Sequence, residues 1–212
     1  MELFFSPLAC SLATRIALYE AGADATFTYV DTRSKRTQAG DDFWAVNPMG
    51  QVPVLRTGGG LLLTENAAVL QYVAERFPAA QLMPEGGDER ARLRQWLAFT
   101  GTELHKALFI PLLDPAAAPE VKAYARAKAD LRLGVLQQHL SRQEHLLARF
   151  SIADAYLTAV LNWAPFAGVA LGDWPAVGQY HRRMTQRPSI ARAIAEEFAL
   201  YEEQQARRAK AA

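Results

Sequence analysis

The sequence predicts a small α/β domain followed by an all-helical one, and three features carry that prediction. Strand-like and helix-like runs alternate over residues 1–80, strands then stop, and a stretch rich in proline and glycine separates the two halves. Glu2-Leu3-Phe4-Phe5 suits a strand, Ser11 to Ala21 has helical spacing, and Thr26 to Asp31 is a second strand, so the chain opens on a β-α-β unit. A helical turn follows. Val52-Pro53-Val54-Leu55-Arg56 and Leu61-Leu62-Leu63 then flank Thr57-Gly58-Gly59-Gly60, whose glycines make a turn between antiparallel strands. A helix from Glu65 to Arg76 closes the domain. This order suits a four-stranded mixed sheet within residues 1–80.

Pro78, Pro84 and Gly86-Gly87 mark a linker, taken as residues 81–88. Residues 89–212 read as helical throughout. Leu93, Trp96, Leu97, Leu104 and Leu108 fall at helical spacing, and Val121 to Leu147 is rich in Ala, Leu, Gln, Lys and Arg. Ser151-Ile152-Ala153-Asp154 has the form of an N-terminal capping box, and Pro188-Ser189 marks the start of a further helix. Pro115-Ala116-Ala117-Ala118-Pro119 is a loop between helices. The end of the chain, Ala206 to Ala212, reads as a solvated helix terminus whose Arg207, Arg208 and Lys210 complement the dipole, with Glu203 four residues before Arg207 as an ion-pair partner.

Composition narrows the function classes. Of 212 residues, 50% are hydrophobic and 21% charged, which sets aside disordered and collagen-like chains. Lys+Arg 23 against Asp+Glu 22 leaves a net +1, with no bid for nucleic acid or an anionic membrane. Cys10 is alone, so no internal disulfide forms, and without a charged-then-apolar leader the chain reads as cytoplasmic. Ala155 to Leu171 is interrupted by Asn162, Pro165 and Gly168 and falls short of the roughly 20 residues of a bilayer span. The histidines and the cysteine have no zinc-site spacing, so no metal is expected.

The chemistry must lie in local features. Cys10 ends the turn Phe5-Ser6-Pro7-Leu8-Ala9 and precedes the first helix, whose amides can favour the thiolate over the ordinary thiol with its pKa of about 8.5. A small buried hydrophobe is the other reading of a lone cysteine. Ala13 stands where a Cys-x-x-Cys pair would carry its second sulfur, so any thiol chemistry borrows that sulfur from a small molecule. Pro53 in an apparent strand marks either an ordinary edge strand or a cis turn that leaves the Val52 backbone open to an added peptide strand. Thr64-Glu65-Asn66 opens a helix, either as simple capping or as a seat for a carboxylate and an amino group. His105 lies in the first helix of the second half.

Together, Cys10-Ser11-Leu12-Ala13, Asn47-Pro48-Met49-Gly50-Gln51-Val52-Pro53-Val54-Leu55, Leu63-Thr64-Glu65-Asn66 and Phe150-Ser151-Ile152-Ala153-Asp154 resemble the cytosolic glutathione S-transferases. With Glu103-Leu104-His105-Lys106, the resemblance is to the bacterial beta class and spans nearly the whole chain. It implies a thioredoxin-like N-terminal domain binding glutathione as co-substrate, an all-helical domain with the site for a small hydrophobic electrophile, and a homodimer. Cys10 would face the glutathione sulfur, with His105 near it as the second catalytic residue. Gln51, Val52 and a cis Pro53 would line the peptide, Glu65 and Asn66 would hold its γ-glutamyl end, and Lys35 would reach its glycine carboxylate unless it is a solvated loop lysine. Glu103 would approach the glutathione of the other subunit. The implied activity is transfer of the glutathione thiolate to electrophiles, with disulfide or peroxide reduction through Cys10 beside it; a non-catalytic binding protein on the same fold is the alternative. Phe5 departs from the tyrosine common in this class, as does Ala98 from an amide side chain. Phe109, Trp163 and Phe166 read either as pocket or as core.

Overall fold

The computed structural model describes residues 1–211, with side chains through residue 209. The chain divides into two compact units, one holding Met1–Ala80 together with the residues from Arg187 onward, the other Gln81–Gln186.

The first unit runs β1 (Glu2–Phe5), α1 (Leu12–Glu20), β2 (Thr26–Asp31), β3 (Arg36–Thr37), a 3-10 turn at Phe43–Ala45, β4 (Val54–Arg56), β5 (Leu62–Leu63) and α2 (Asn66–Arg76). Its sheet has the order β3-β2-β1-β4-β5. β1 runs parallel to β2, with Leu3 opposite Phe27, and antiparallel to β4, with Phe4 opposite Val54. The strand period of two sends Phe4, Val30 and Val54 to one face, where they pack with Phe43 and Val52. The hairpin expected around Thr57 is present, closed by the Gly60 amide on the Thr57 carbonyl.

The sheet has five strands where four were expected. The added strand is β3, two polar residues without apolar alternation that pair with Val30 and Asp31 of β2. Backbone pairing alone creates this edge, so side-chain pattern gives no sign of it.

The last helix (Pro188–Ala211) belongs to this unit, where a helical domain over 89–212 had placed it in the other. It packs on α1 and buries Ile190 and Ala193, with polar contacts beside them. Arg187 makes a two-pronged ion pair with Glu20 at 2.6 and 2.7 Å, Gln204 donates to the Tyr29 hydroxyl at 2.7 Å, and Arg208 pairs with Asp31 at 3.1 Å. Arg207 lies 5.8 Å from the Tyr29 ring centre. The helix end is therefore docked on β2 rather than merely solvated; the Lys210 side chain lies outside the described residues.

The helical unit contains α3 (Gly87–Phe99), a π-helical stretch Thr100–Phe109, α4 (Ile110–Leu113), α5 (Pro119–Ala127), α6 (Ala129–Leu140), α7 (Ile152–Leu161) and α8 (Pro175–Thr185). Leu93, Leu97, Leu104 and Leu108 are fully buried, as their spacing requires. Residues 81–88 are part of this body: Leu82 and Met83 are buried, and the Leu82 carbonyl accepts from the Ile152 amide at 2.9 Å. The capping box of α7 is formed. Its Asp154, wholly buried, accepts from the Ser151 amide and hydroxyl, the Leu146 amide and the Tyr180 hydroxyl at 2.9–3.0 Å. Burial nevertheless pushes the Asp154 carboxyl up. No helix among the described residues is long and apolar enough to cross a membrane.

Candidate functional site

The turn from Ser6 to Ser11 joins β1 to α1 and presents Cys10. Its ends are tied together because the Ser6 amide donates to the Ser11 hydroxyl and that hydroxyl donates to the Ser6 carbonyl, both at 3.3 Å. The amides of Leu12, Ala13 and Thr14 are taken up by the carbonyls of Ala9, Cys10 and Ser11. They therefore do not supply the sulfur with the amide cradle expected of them, because the turn winds directly into the helix.

Cys10 is half-buried, and its thiol donates to the Val52 carbonyl at 3.3 Å. The Val52-Pro53 bond is cis. Val52 packs its side chain into the sheet core while its backbone stays at the end of β4, beside the sulfur. The approach to Val52 is built by Asn47, which is buried, accepts from the Met49 amide at 3.0 Å and donates to the Gln51 carbonyl at 2.7 Å. Gly50 has φ +58°, and a Cβ there would lie 2.8 Å from the Trp44 ring, so glycine is required. The Gln51 side chain is exposed.

Asn66, at the start of α2, is buried. Its amide nitrogen donates to the Cys10 carbonyl at 2.8 Å and its oxygen accepts from Thr14 at 3.1 Å. That side chain is committed to holding the cysteine turn. Glu65, just before it, is exposed and has φ +62°, ψ 112°, a conformation that costs a non-glycine residue on the order of 1–3 kcal/mol. The Ala68 and Val69 amides are taken up by the Glu65 carbonyl at 2.9 Å, while the exposed Glu65 side chain is left at the mouth of the helix. Lys35, also at positive φ (57°), donates to the Gly50 carbonyl at 2.8 Å and lies 5.5 Å from the Trp44 ring centre. It is thus a placed cation rather than a solvated one.

In the helical unit, His105 sits in the π-helical stretch and is 6% exposed. Its Nδ1 is 2.8 Å from the Tyr156 hydroxyl, and its ring lies edge-on to Trp163 at 4.9 Å. Burial, reinforced by Lys106, lowers its pKa to about 4, so the imidazole is neutral at pH 7. Glu103 pairs with Arg132 at 3.1 Å. Phe109 and Trp163 are core residues with rings 6.2 Å apart, whereas Phe166 is exposed. Phe5, in the α/β unit, is also core, with the Arg15 guanidinium 4.3 Å from its ring centre.

The hydrogen bond of Tyr156 to His105 and the packing of Arg15 on Phe5 have no signal in the sequence beyond residue type, whereas Asn47 opens the motif that carries the resemblance. Among the described residues no cluster of three or more His, Cys, Asp or Glu side chains is arranged to hold a metal ion.

Comparison with known proteins places this geometry. The family model for the glutathione S-transferase N-terminal domain matches residues 3–75, and that for the C-terminal domain matches residues 102–188. The chain is 42% identical over 200 residues to glutathione S-transferase GstA of Escherichia coli O157:H7, covering 93% of this chain and 98% of that protein. It is similar to a sphingomonad glutathione S-transferase solved in complex with glutathione, with TM-score 0.89, 44% identity, and coverage of 93% and 98% of the two chains. A bacterial beta class glutathione S-transferase from Sphingomonas chungbukensis matches with TM-score 0.89, 43% identity and the same coverage, 93% and 98%.

Proposed function

The chain belongs to the glutathione S-transferase family, and on that premise we propose that it transfers the thiolate of glutathione to small apolar electrophiles, with Cys10 also exchanging with glutathione disulfide. The observation that carries this reading is the 3.3 Å approach of the Cys10 sulfur to the Val52 carbonyl at the cis-proline edge. A peptide laid along that edge as an added strand brings its own cysteine to the same place. Lys35 and Glu65 supply opposite charges for its two ends, with Gln51 and Pro53 along its length.

In conjugation, the glutathione thiolate forms a carbon–sulfur bond, the leaving group departs with the electron pair, and the thiol proton passes to solvent. Lowering the thiol pKa contributes about 1.4 kcal/mol of bias toward thiolate per unit, and fixed orientation adds an entropic advantage. In exchange, the Cys10 thiolate attacks the disulfide of oxidised glutathione, one glutathione thiolate leaves, and a mixed disulfide remains. His105 is taken as the second catalytic residue, a neutral imidazole able to donate or accept one hydrogen bond without adding charge. The working form is taken as a cytoplasmic homodimer, with Glu103 directed to the glutathione of the partner subunit. A single cysteine in a chain without internal disulfides supports a reducing compartment.

The test is steady-state turnover of glutathione with an activated aryl halide. Wild type is expected to exceed the solution reaction, and Glu65→Ala to raise the KM for glutathione about tenfold, the scale of one charge-assisted contact. Retention on immobilised glutathione without turnover above the solution rate would replace the enzyme by a binding protein.

A further inference from the structure

The turn that carries Cys10 is pinned at its ends by Ser6, Ser11 and Asn66, but its middle requires a separate restraint. Leu8 has φ +56°, a left-handed conformation that a residue with a branched side chain seldom adopts. Its amide donates to Glu197 Oε2 at 2.7 Å. Glu197 comes from the C-terminal helix, at the other end of the chain, and is wholly buried.

The second oxygen of that carboxylate faces Arg15 of α1. Arg15 Nε approaches Glu197 Oε1 to 2.9 Å without lining up as a hydrogen bond, so the contact is ionic, while Arg15 Nη1 meets Glu196 at 3.0 Å. The guanidinium is buried between Phe5 and Phe27, 4.3 and 4.1 Å from their ring centres. Tyr19 and Arg192 face Glu196 on its outer side. One buried carboxylate thus joins the turn before Cys10 to the helix after it.

Stability alone gives little reason for this arrangement. A buried ion pair gains little over apolar residues of the same volume, because both charges lose their hydration. Burial pushes the Glu197 carboxyl up to about 7, against the lowering effect of Arg15 and the Leu8 amide. What the carboxylate supplies that a leucine would not is an acceptor at a fixed point for a strained backbone amide.

We propose that Glu197, held by Arg15, is a positioning residue for the thiol chemistry, its side-chain oxygen fixing Leu8 and hence the placement of Cys10. The proposal rests on the reading in which Cys10 exchanges with glutathione. Exchange with a tripeptide disulfide demands alignment of the sulfur, whereas alkylation by iodoacetamide demands only access. Because Cys10 is the sole cysteine, both rates report on it alone.

The experiment measures the ratio of the two rates in wild type, Glu197→Ala, Glu197→Asp and Glu197→Gln. Alanine lacks the acceptor and aspartate falls one methylene short of it, so both are expected to lower the ratio about tenfold or more, while glutamine keeps an acceptor oxygen and loses at most about threefold. Both rates are measured on folded protein checked by circular dichroism, because an unfolded chain exposes Cys10 to iodoacetamide and lowers the ratio without any loss of positioning. If the alanine variant does not fold, the contrast between aspartate and glutamine decides. An unchanged ratio in aspartate, or a glutamine variant as impaired as aspartate, overturns the positioning role. A wild type that alkylates yet takes up no glutathione overturns instead the functional reading on which the proposal rests.

Discussion

In the α/β unit, Cys10 is presented by a turn whose backbone is gripped by side chains from elsewhere: Asn66 on its own carbonyl and Glu197 on the Leu8 amide. In the helical unit, His105 is held among Tyr156 and Trp163, neutral groups on the neighbouring segments. One unit fixes a backbone and leaves a half-exposed thiol at its edge; the other buries a ring and removes its charge. A nucleophile that must meet a peptide needs a defined main chain beside it, whereas an imidazole kept neutral needs a low-dielectric wall. On the proposed function, the difference lies in what each residue must not do: Cys10 must not wander, and His105 must not protonate.

That comparison is broken most severely at the polar centre of the helical unit. Asp154→Ala orphans the buried Leu146 and Ser151 amides and is expected to cost about 3–5 kcal/mol of stability, while Asn66→Ala, which frees the Cys10 carbonyl, costs about 1–3. Urea unfolding of both variants, followed with glutathione exchange on the folded protein, checks this. Asp154→Ala should lower stability and spare exchange per folded molecule, and Asn66→Ala should lower exchange by more than its stability explains. Equal effects on both readouts would erase the distinction between the units.

Acid sharpens the comparison, because the two buried groups titrate in opposite senses. The unfolded chain protonates His105 near 6.5 and the folded one resists until about 4, so stability present above pH 6.5 is lost as the pH falls toward 4, up to about 3 kcal/mol. Glu197 holds its proton more tightly in the fold, with a pKa raised from 4.5 to about 7. Its contribution therefore grows as pH falls from 7 toward 4.5. Unfolding free energies at pH 7 and 5 should show a shallower acid loss for His105→Phe than for wild type, and a steeper one for Glu197→Gln. Parallel profiles would mean that neither burial persists in solution.

What the sequence made legible follows from how local each feature is. The β-α-β opening, the glycine turn at Thr57 to Gly60, the capping box of Ser151 and Asp154, and the helix start at Pro188 all depend on residues within a few positions of each other. The cysteine at the first turn is legible for the same reason, whereas the residues around Pro53 leave a cis turn and an ordinary edge strand equally open and only the family resemblance implies the cis bond that is present. β3 was not, since Arg36 and Thr37 pair through their backbones alone. Nor was the return of the C-terminal helix: Arg187, Gln204 and Arg208 read as surface residues until Glu20, Tyr29 and Asp31 are brought beside them. Arg15 and Glu197, at opposite ends of the chain, resembled any solvated charges on helices. The amides expected to cradle the sulfur were misjudged because the turn before α1 already uses them.

The most direct measurement is the intact mass of the protein after incubation with oxidised glutathione, with and without reductant, for wild type and Cys10→Ala. A single glutathione adduct on wild type alone, removed by reductant, is the predicted result, since it places the one thiol of the chain beside the peptide edge at Val52. No adduct on wild type, together with no glutathione binding by calorimetry, would contradict the account and leave the fold without the chemistry assigned to it.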